Sequence, residues 1–96
     1  MRPCQALAAH RDELRELVSR YDVRRPRIFG SVLTGTDREG SDLDLLVDRG
    51  EATTLFTLAA LQLDAEGLLG VTVDIRTPGA LPPKFRDDVL RRAEAL

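Results

Sequence analysis

The apolar positions along the chain change period several times, and each change marks a predicted element. Between residues 5 and 21, Leu7, Leu14, Leu17, Val18 and Tyr21 recur at helical spacing. Arg11, Asp12, Glu13, Arg15 and Glu16 fill the gaps, which predicts an amphipathic helix. Pro26 stops any continuation, and residues 24–29, ending in Ile28-Phe29, read as a short strand. Gly30-Ser31 breaks that strand. Ser31 is placed to cap a short helix over residues 32–34, which Gly35 ends, and residues 36–40 form a polar loop. From Asp42 to Asp48 the period becomes two, with Leu43, Leu45 and Val47 on one face and Asp42, Asp44 and Leu46 on the other. Thr53 or Thr54 then caps a long helix running to about Leu69, with Gly70 as its stop. Residues 71–76 alternate as a third strand. Thr77-Pro78-Gly79 is a turn, and Pro82-Pro83 opens a last helix with Phe85, Val89 and Leu96 on one face.

The order αβαβαβα predicts an α/β fold: one domain over residues 1–96, with a roughly three-stranded mixed sheet packed by helices. With the long helix as crossover, the second and third strands run parallel. That helix carries Leu55, Phe56, Leu58, Leu61, Leu63, Leu68 and Leu69 on more than one side. Such a helix is either covered tightly by its own domain or met by a partner.

Composition narrows the chemistry. Apolar residues make up 43% and charged residues 31% of the 96, a globular balance. Fourteen basic against sixteen acidic residues leave a net charge of −2, which argues against strong direct nucleic-acid binding through bulk charge. No apolar run is long enough for a membrane span and no secretory leader pattern opens the chain, so a cytoplasmic setting is expected. The single cysteine, Cys4, fits a reducing compartment and reads as a small inert residue; the single histidine, His10, reads as packing or surface. One Cys and one His all but exclude zinc sites and His-based triads, leaving carboxylates to carry any catalysis.

Asp42 and Asp44, two apart on a strand, send both carboxylates from one face, roughly 6.6 Å apart at the backbone. Like charges so placed repel unless a cation lies between them, and hard oxygen donors suit Mg²⁺ or Mn²⁺. Asp74 shares a polar face with Thr72 and Arg76 on the third strand, opposite Val71, Val73 and Ile75. If both apolar faces are buried, Asp42, Asp44 and Asp74 converge, and three carboxylates on adjacent strands suffice for two metals. Gly30-Ser31 stands where a strand turns into a helix, a geometry that receives phosphate. Two rival motifs fail. Gly30 to Gly35 has P-loop spacing, but Thr36-Asp37 replaces the required Lys-Ser/Thr; Asp42-x-Asp44 could open a calcium loop, but Leu46 stands at the next ligand position. Arg24, Arg25 and Arg27 read as a solvated basic stretch.

Gly30-Ser31, Gly35 and then Ser41-Asp42-Leu43-Asp44-Leu45 resemble the G-S-x-x-x-G…S-D-x-D-L signature of the DNA polymerase β-type nucleotidyltransferase superfamily. The short length points to its minimal nucleotidyltransferase branch, and Asp74 falls where the third acid is expected. The resemblance implies Mg²⁺-dependent transfer of AMP from ATP, with Asp42, Asp44 and Asp74 as metal-binding catalytic residues, two Mg²⁺ ions, and Gly30 and Ser31 holding the triphosphate. It further implies an antitoxin, type VII-like, that places AMP on a tyrosine of a HEPN-domain ribonuclease toxin. One departure stands out: many such proteins carry Arg before the second glycine, and here Thr34 precedes Gly35, leaving Arg38, Arg76 or a partner to supply the charge. Two other functions compete. One is a catalytically idle module that neutralises a toxin by occlusion, which loss of any acid would favour. The other is transfer to a small molecule, which usually needs a second domain to shape the acceptor site.

Overall fold

A computed structural model describes residues 1–96. The elements are α1 (Pro3–Ser19), β1 (Val23–Phe29), α2 (Ser31–Thr34), β2 (Leu43–Arg49), α3 (Leu55–Leu69), β3 (Val73–Arg76), a 3₁₀ turn (Pro78–Ala80), α4 (Pro83–Arg92) and β4 (Glu94–Ala95). The sheet order is β3-β2-β1-β4, with β2 and β3 parallel across the α3 crossover and both other pairings antiparallel. The α/β class and the parallel pair match the expectation from sequence; the sheet has four strands rather than three.

The core lies on one side of the sheet. Leu43, Leu45 and Val47 of β2, Ile28 of β1 and Val73 of β3 pack against Ala6, Leu7, Leu14 and Val18 of α1 and Leu61, Ala65 and Leu69 of α3. At about 25 cal/mol per Å² of apolar surface, burying each of these leucines is worth roughly 1.5–3 kcal/mol, so this side holds the fold together. The opposite side carries Asp44, Asp48, Arg27 and Asp74, all half-buried, and neither long helix lies over it. Its exception is Leu46, which is fully buried, on the strand that meets the 3₁₀ turn.

Three local outcomes depart from the pattern reading, at Ser31, within β1 and at the end of the last helix. Ser31 does not cap α2; Gly30 occupies the cap position, and no side chain bonds there. Gly35 ends the helix with φ 75°, left-handed as a C-terminal glycine stop requires. Strand β1 bulges between Arg24 and Arg27 around Pro26, which has no N–H to offer the ladder. The last helix stops at Arg92, so Leu96 is not on its face: it lies beyond β4 and is buried in the core. Arg11 and Arg15, one turn apart on α1, both donate to the Leu96 carbonyl at 2.9 and 2.8 Å, fixing β4 on the edge of β1. Helix α4 buries no residue completely, and Phe85 is 54% exposed. Arg86 tethers it by donating to the carbonyls of Pro78 and Leu81.

On α3 the outer side is not covered by this domain: Leu55, Phe56 and Leu63 are exposed while Leu61, Ala65 and Leu69 face the core. Thr54 caps the helix by accepting from the Thr57 N–H, and Gly70 closes it in the left-handed conformation. No helix is long and apolar enough to cross a membrane.

Candidate functional site

The parallel ladder sets Asp44 directly opposite Asp74, both on the uncovered side of the sheet. This follows from period two: each lies between core-facing residues, Leu43 and Leu45 in one strand, Val73 and Ile75 in the other. Asp42 lies immediately before β2 rather than within it, exposed, and its carboxylate accepts a hydrogen bond from the Thr72 hydroxyl. Asp74 accepts from Arg76 at 3.0 Å. With Asp42 turned to Thr72 and Asp74 to Arg76, the three carboxylates do not stand as a ready-made coordination shell.

Their fields nonetheless meet at Asp44. Partial burial, then the charges of Asp74 and Asp42, push its carboxyl up from 3.8 to about 6, against a smaller opposing effect of Arg76. An acid held in this way gains by the arrival of a cation. The donors are all carboxylate oxygens, the chemistry that suits Mg²⁺ and excludes soft metals.

The Gly30 turn belongs to the same site. In the antiparallel register Phe29 pairs with Asp44, which brings the next residue, Gly30, against the Asp44 carboxylate. A Cβ built on Gly30 would overlap the nearer carboxylate oxygen and stand 3.0 Å from its carbon. Gly30 also has φ 78° and ψ −149°, a region open almost solely to glycine. Two independent constraints therefore fix its identity. Beyond it, the first N–H groups of α2 have no acceptor inside so short a helix. Thr34 folds back on its own turn, its hydroxyl near the Gly30 and Ser31 carbonyls and 3.0 Å from the Thr36 hydroxyl.

A cleft of about 340 Å³ opens on this turn, bounded by Gly30, Ser31 and Thr34 on one side and by Asp88, Val89 and Arg92 of α4 on the other. Sequence reasoning missed the α4 wall, because only tertiary packing brings residues 88–92 to residues 30–34. Of the arginines considered as a source of positive charge, Arg76 is bound to Asp74, while Arg38 contributes its backbone N–H to Ser41. The loop between the glycine turn and β2 is itself anchored: the buried Asp37 carboxylate accepts the Cys4 N–H of α1 at 2.9 Å. That bond, chiefly, holds the Asp37 carboxyl below its ordinary value, since it favours the charged form at a helix N-terminus. At the other end of the open face, burial alone would raise the Asp48 carboxyl, but Arg25 and Arg27, at 2.6 and 2.5 Å, hold it down.

Comparison with known proteins shows the family. A nucleotidyltransferase domain model matches residues 7–96. A protein adenylyltransferase, MntA, of Thermococcus cleftensis is 40% identical over 85 residues, 88% of this chain and 83% of that protein. A Methanocaldococcus jannaschii relative is 35% identical over 77 residues, covering 80% of this chain and 83% of the relative. Among solved structures, one described as a minimal nucleotidyltransferase superposes with a TM-score of 0.81 at 47% identity, covering 97% of this chain and 93% of its own. A toxin–antitoxin structure solved with AMP-PNP shares the fold with a TM-score of 0.74 at 17% identity, over 88% of this chain and 69% of its own. The chain thus belongs to the nucleotidyltransferase domain family, in its minimal form.

Proposed function

We propose that this nucleotidyltransferase transfers AMP from ATP, with Mg²⁺, to a hydroxyl of a partner protein, and that the partner is a HEPN-domain toxin modified on a tyrosine. The observation that carries the reading is the Asp44–Asp74 pair on the uncovered sheet face, with Gly30 pressed against Asp44. The name of the Thermococcus cleftensis relative supports a protein as acceptor, and the toxin–antitoxin neighbours support an antitoxin role.

On this reading Asp42, Asp44 and Asp74 hold Mg²⁺, while Gly30 and Ser31 receive the triphosphate. Held by these carboxylates, Mg²⁺ would supply charge neutralisation at the phosphates. The chain's own residues do the rest. Gly30, lacking a side chain, lets the phosphates approach the start of α2 and the Asp44 carboxylate together. Asp74 stands on the neighbouring strand to take the proton of the attacking hydroxyl. A new oxygen–phosphorus bond forms at the α-phosphate, the bond to the β-phosphate oxygen breaks, and pyrophosphate leaves. The sheet face that carries Asp44 and Asp74 leaves room for an acceptor brought by another molecule.

Incubating the protein with a helical HEPN protein encoded beside it, ATP and Mg²⁺ should add one or more AMP masses to that protein. The double variant Asp42→Asn/Asp44→Asn should abolish the gain and lose the power to rescue cells from the toxin. Rescue by the double variant, with no AMP ever found on the partner, would refute the transfer reading and establish neutralisation by occlusion.

A further inference from the structure

The cleft on the Gly30 turn has one cationic side chain in its wall, and it comes from α4. Residues 30–36 supply Gly30, Ser31, Leu33, Thr34 and Thr36, which carry no charge. The charged lining residues are Asp88 and Arg92. Arg92 donates through Nε to Asp88 at 3.1 Å, and Arg91 donates to the same carboxylate oxygen at 3.2 Å. Two guanidinium groups thus share one carboxylate. Only Arg92 of the two lines the cleft. Its bond to Asp88 uses Nε, which leaves the terminal nitrogens for a second acceptor. A polyanion entering the cleft would meet the Gly30 turn on one side and this guanidinium on the other.

We propose that Arg92 binds the phosphate chain of the nucleoside triphosphate, making α4 one wall of the nucleotide site and Asp88 the residue that positions its guanidinium. The inference rests on the reading of the chain as an ATP-using transferase. It explains how a turn with no cation of its own can hold a triphosphate. Guanidinium is suited to the task, since its planar fork matches two phosphate oxygens and its charge is fixed at all working pH values.

Calorimetry with ATP–Mg²⁺ and with AMP separates the possibilities. Arg92→Gln should weaken ATP about tenfold while changing AMP little, because the lost contact is to the outer phosphates. Arg92→Lys should restore part of the affinity. Arg91→Gln, which alters the same ion pair outside the cleft, should bind ATP as the parent chain does. The Asp88 pairs are exposed, so none of these changes should unfold the domain, and circular dichroism checks that. Unchanged ATP affinity in Arg92→Gln, or an equal loss in Arg91→Gln, would overturn the proposal while leaving the transferase reading intact. Failure of the parent chain itself to bind ATP would overturn both.

Discussion

Replacing Asp44 by Asn should make the metal-free protein more stable at neutral pH, although Asp44 is the acid at the centre of the proposed site. The reason is electrostatic. Its carboxyl is raised from 3.8 to about 6 by burial and by the charges of Asp74 and Asp42, so ionised Asp44 opposes folding. At 1.36 kcal/mol per pH unit, that rise corresponds to about 3 kcal/mol, and to roughly half as much once water around a partly buried carboxylate is counted. The sign follows from linkage: the folded state binds a proton more tightly than the unfolded chain, so Asp44 favours the fold most below pH 4 and loses that contribution as pH rises through 6. Asn keeps the volume and has no charge to desolvate.

Urea unfolding in EDTA at pH 7.5 and at pH 4.5 tests this. At pH 7.5 Asp44→Asn should exceed the parent chain by about 1–3 kcal/mol, and at pH 4.5, where the folded carboxyl is protonated but the unfolded one is mostly ionised, the gap should shrink to about a third of that. Adding Mg²⁺ at pH 7.5 should stabilise the parent more than the variant and narrow the gap. Equal stability at pH 7.5, or a gap that does not change with pH, would show that Asp44 is not under the repulsion the structure implies.

Gly30→Ala should both weaken ATP binding and destabilise the fold by roughly 1–3 kcal/mol, because its Cβ enters the Asp44 carboxylate and its backbone lies in a glycine-only region; calorimetry and urea melts read the two effects, and a fully stable variant would contradict the stated geometry. Asp37→Asn should lower the melting temperature and speed amide exchange across residues 36–41, since it weakens the bond to the Cys4 N–H that anchors this loop to α1. Unchanged exchange there would mean that the anchor does not restrain the loop.

The core elements were legible because their periods are clean. Leu43, Leu45 and Val47 alternate with Asp42, Asp44 and Leu46, and that alternation is what puts Asp44 on the open face. Gly35 and Gly70 were readable as helix stops, and both adopt the left-handed conformation. Strand β4 was not readable. Residues 91–96 have good local helix propensity, and what ends α4 is tertiary: β1 has a free edge, Leu96 fits the core, and Arg11 and Arg15 grip its carbonyl from more than 80 residues away in sequence. The same limit applies to the candidate site. Acids two apart and a Gly-Ser turn can be seen in the sequence, whereas the contact between Gly30 and Asp44 depends on the antiparallel register that pairs Phe29 with Asp44. Arg92 carried no signal, since nothing near it in sequence indicates that α4 closes over the glycine turn.

The uncovered face explains why this small sheet can host chemistry at all. Both long helices lie on the other side, so the apolar residues that secure β2 and β3 are the immediate neighbours of the acids they carry. Leu43, Leu45 and Val73 are almost fully buried on the core side, and Asp44 and Asp74 alternate with them on the open one. The acids therefore cannot move apart to relieve their repulsion without pulling core side chains out of register. Burial first, and then this repulsion held in place by packing, carry a cost in stability that appears as the raised Asp44 carboxyl. On the proposed function, a cation bound by these acids would relieve that cost. Stability and activity should thus move in opposite directions at this one residue: the change that most relaxes the metal-free fold, Asp44→Asn, is the one that should most impair transfer.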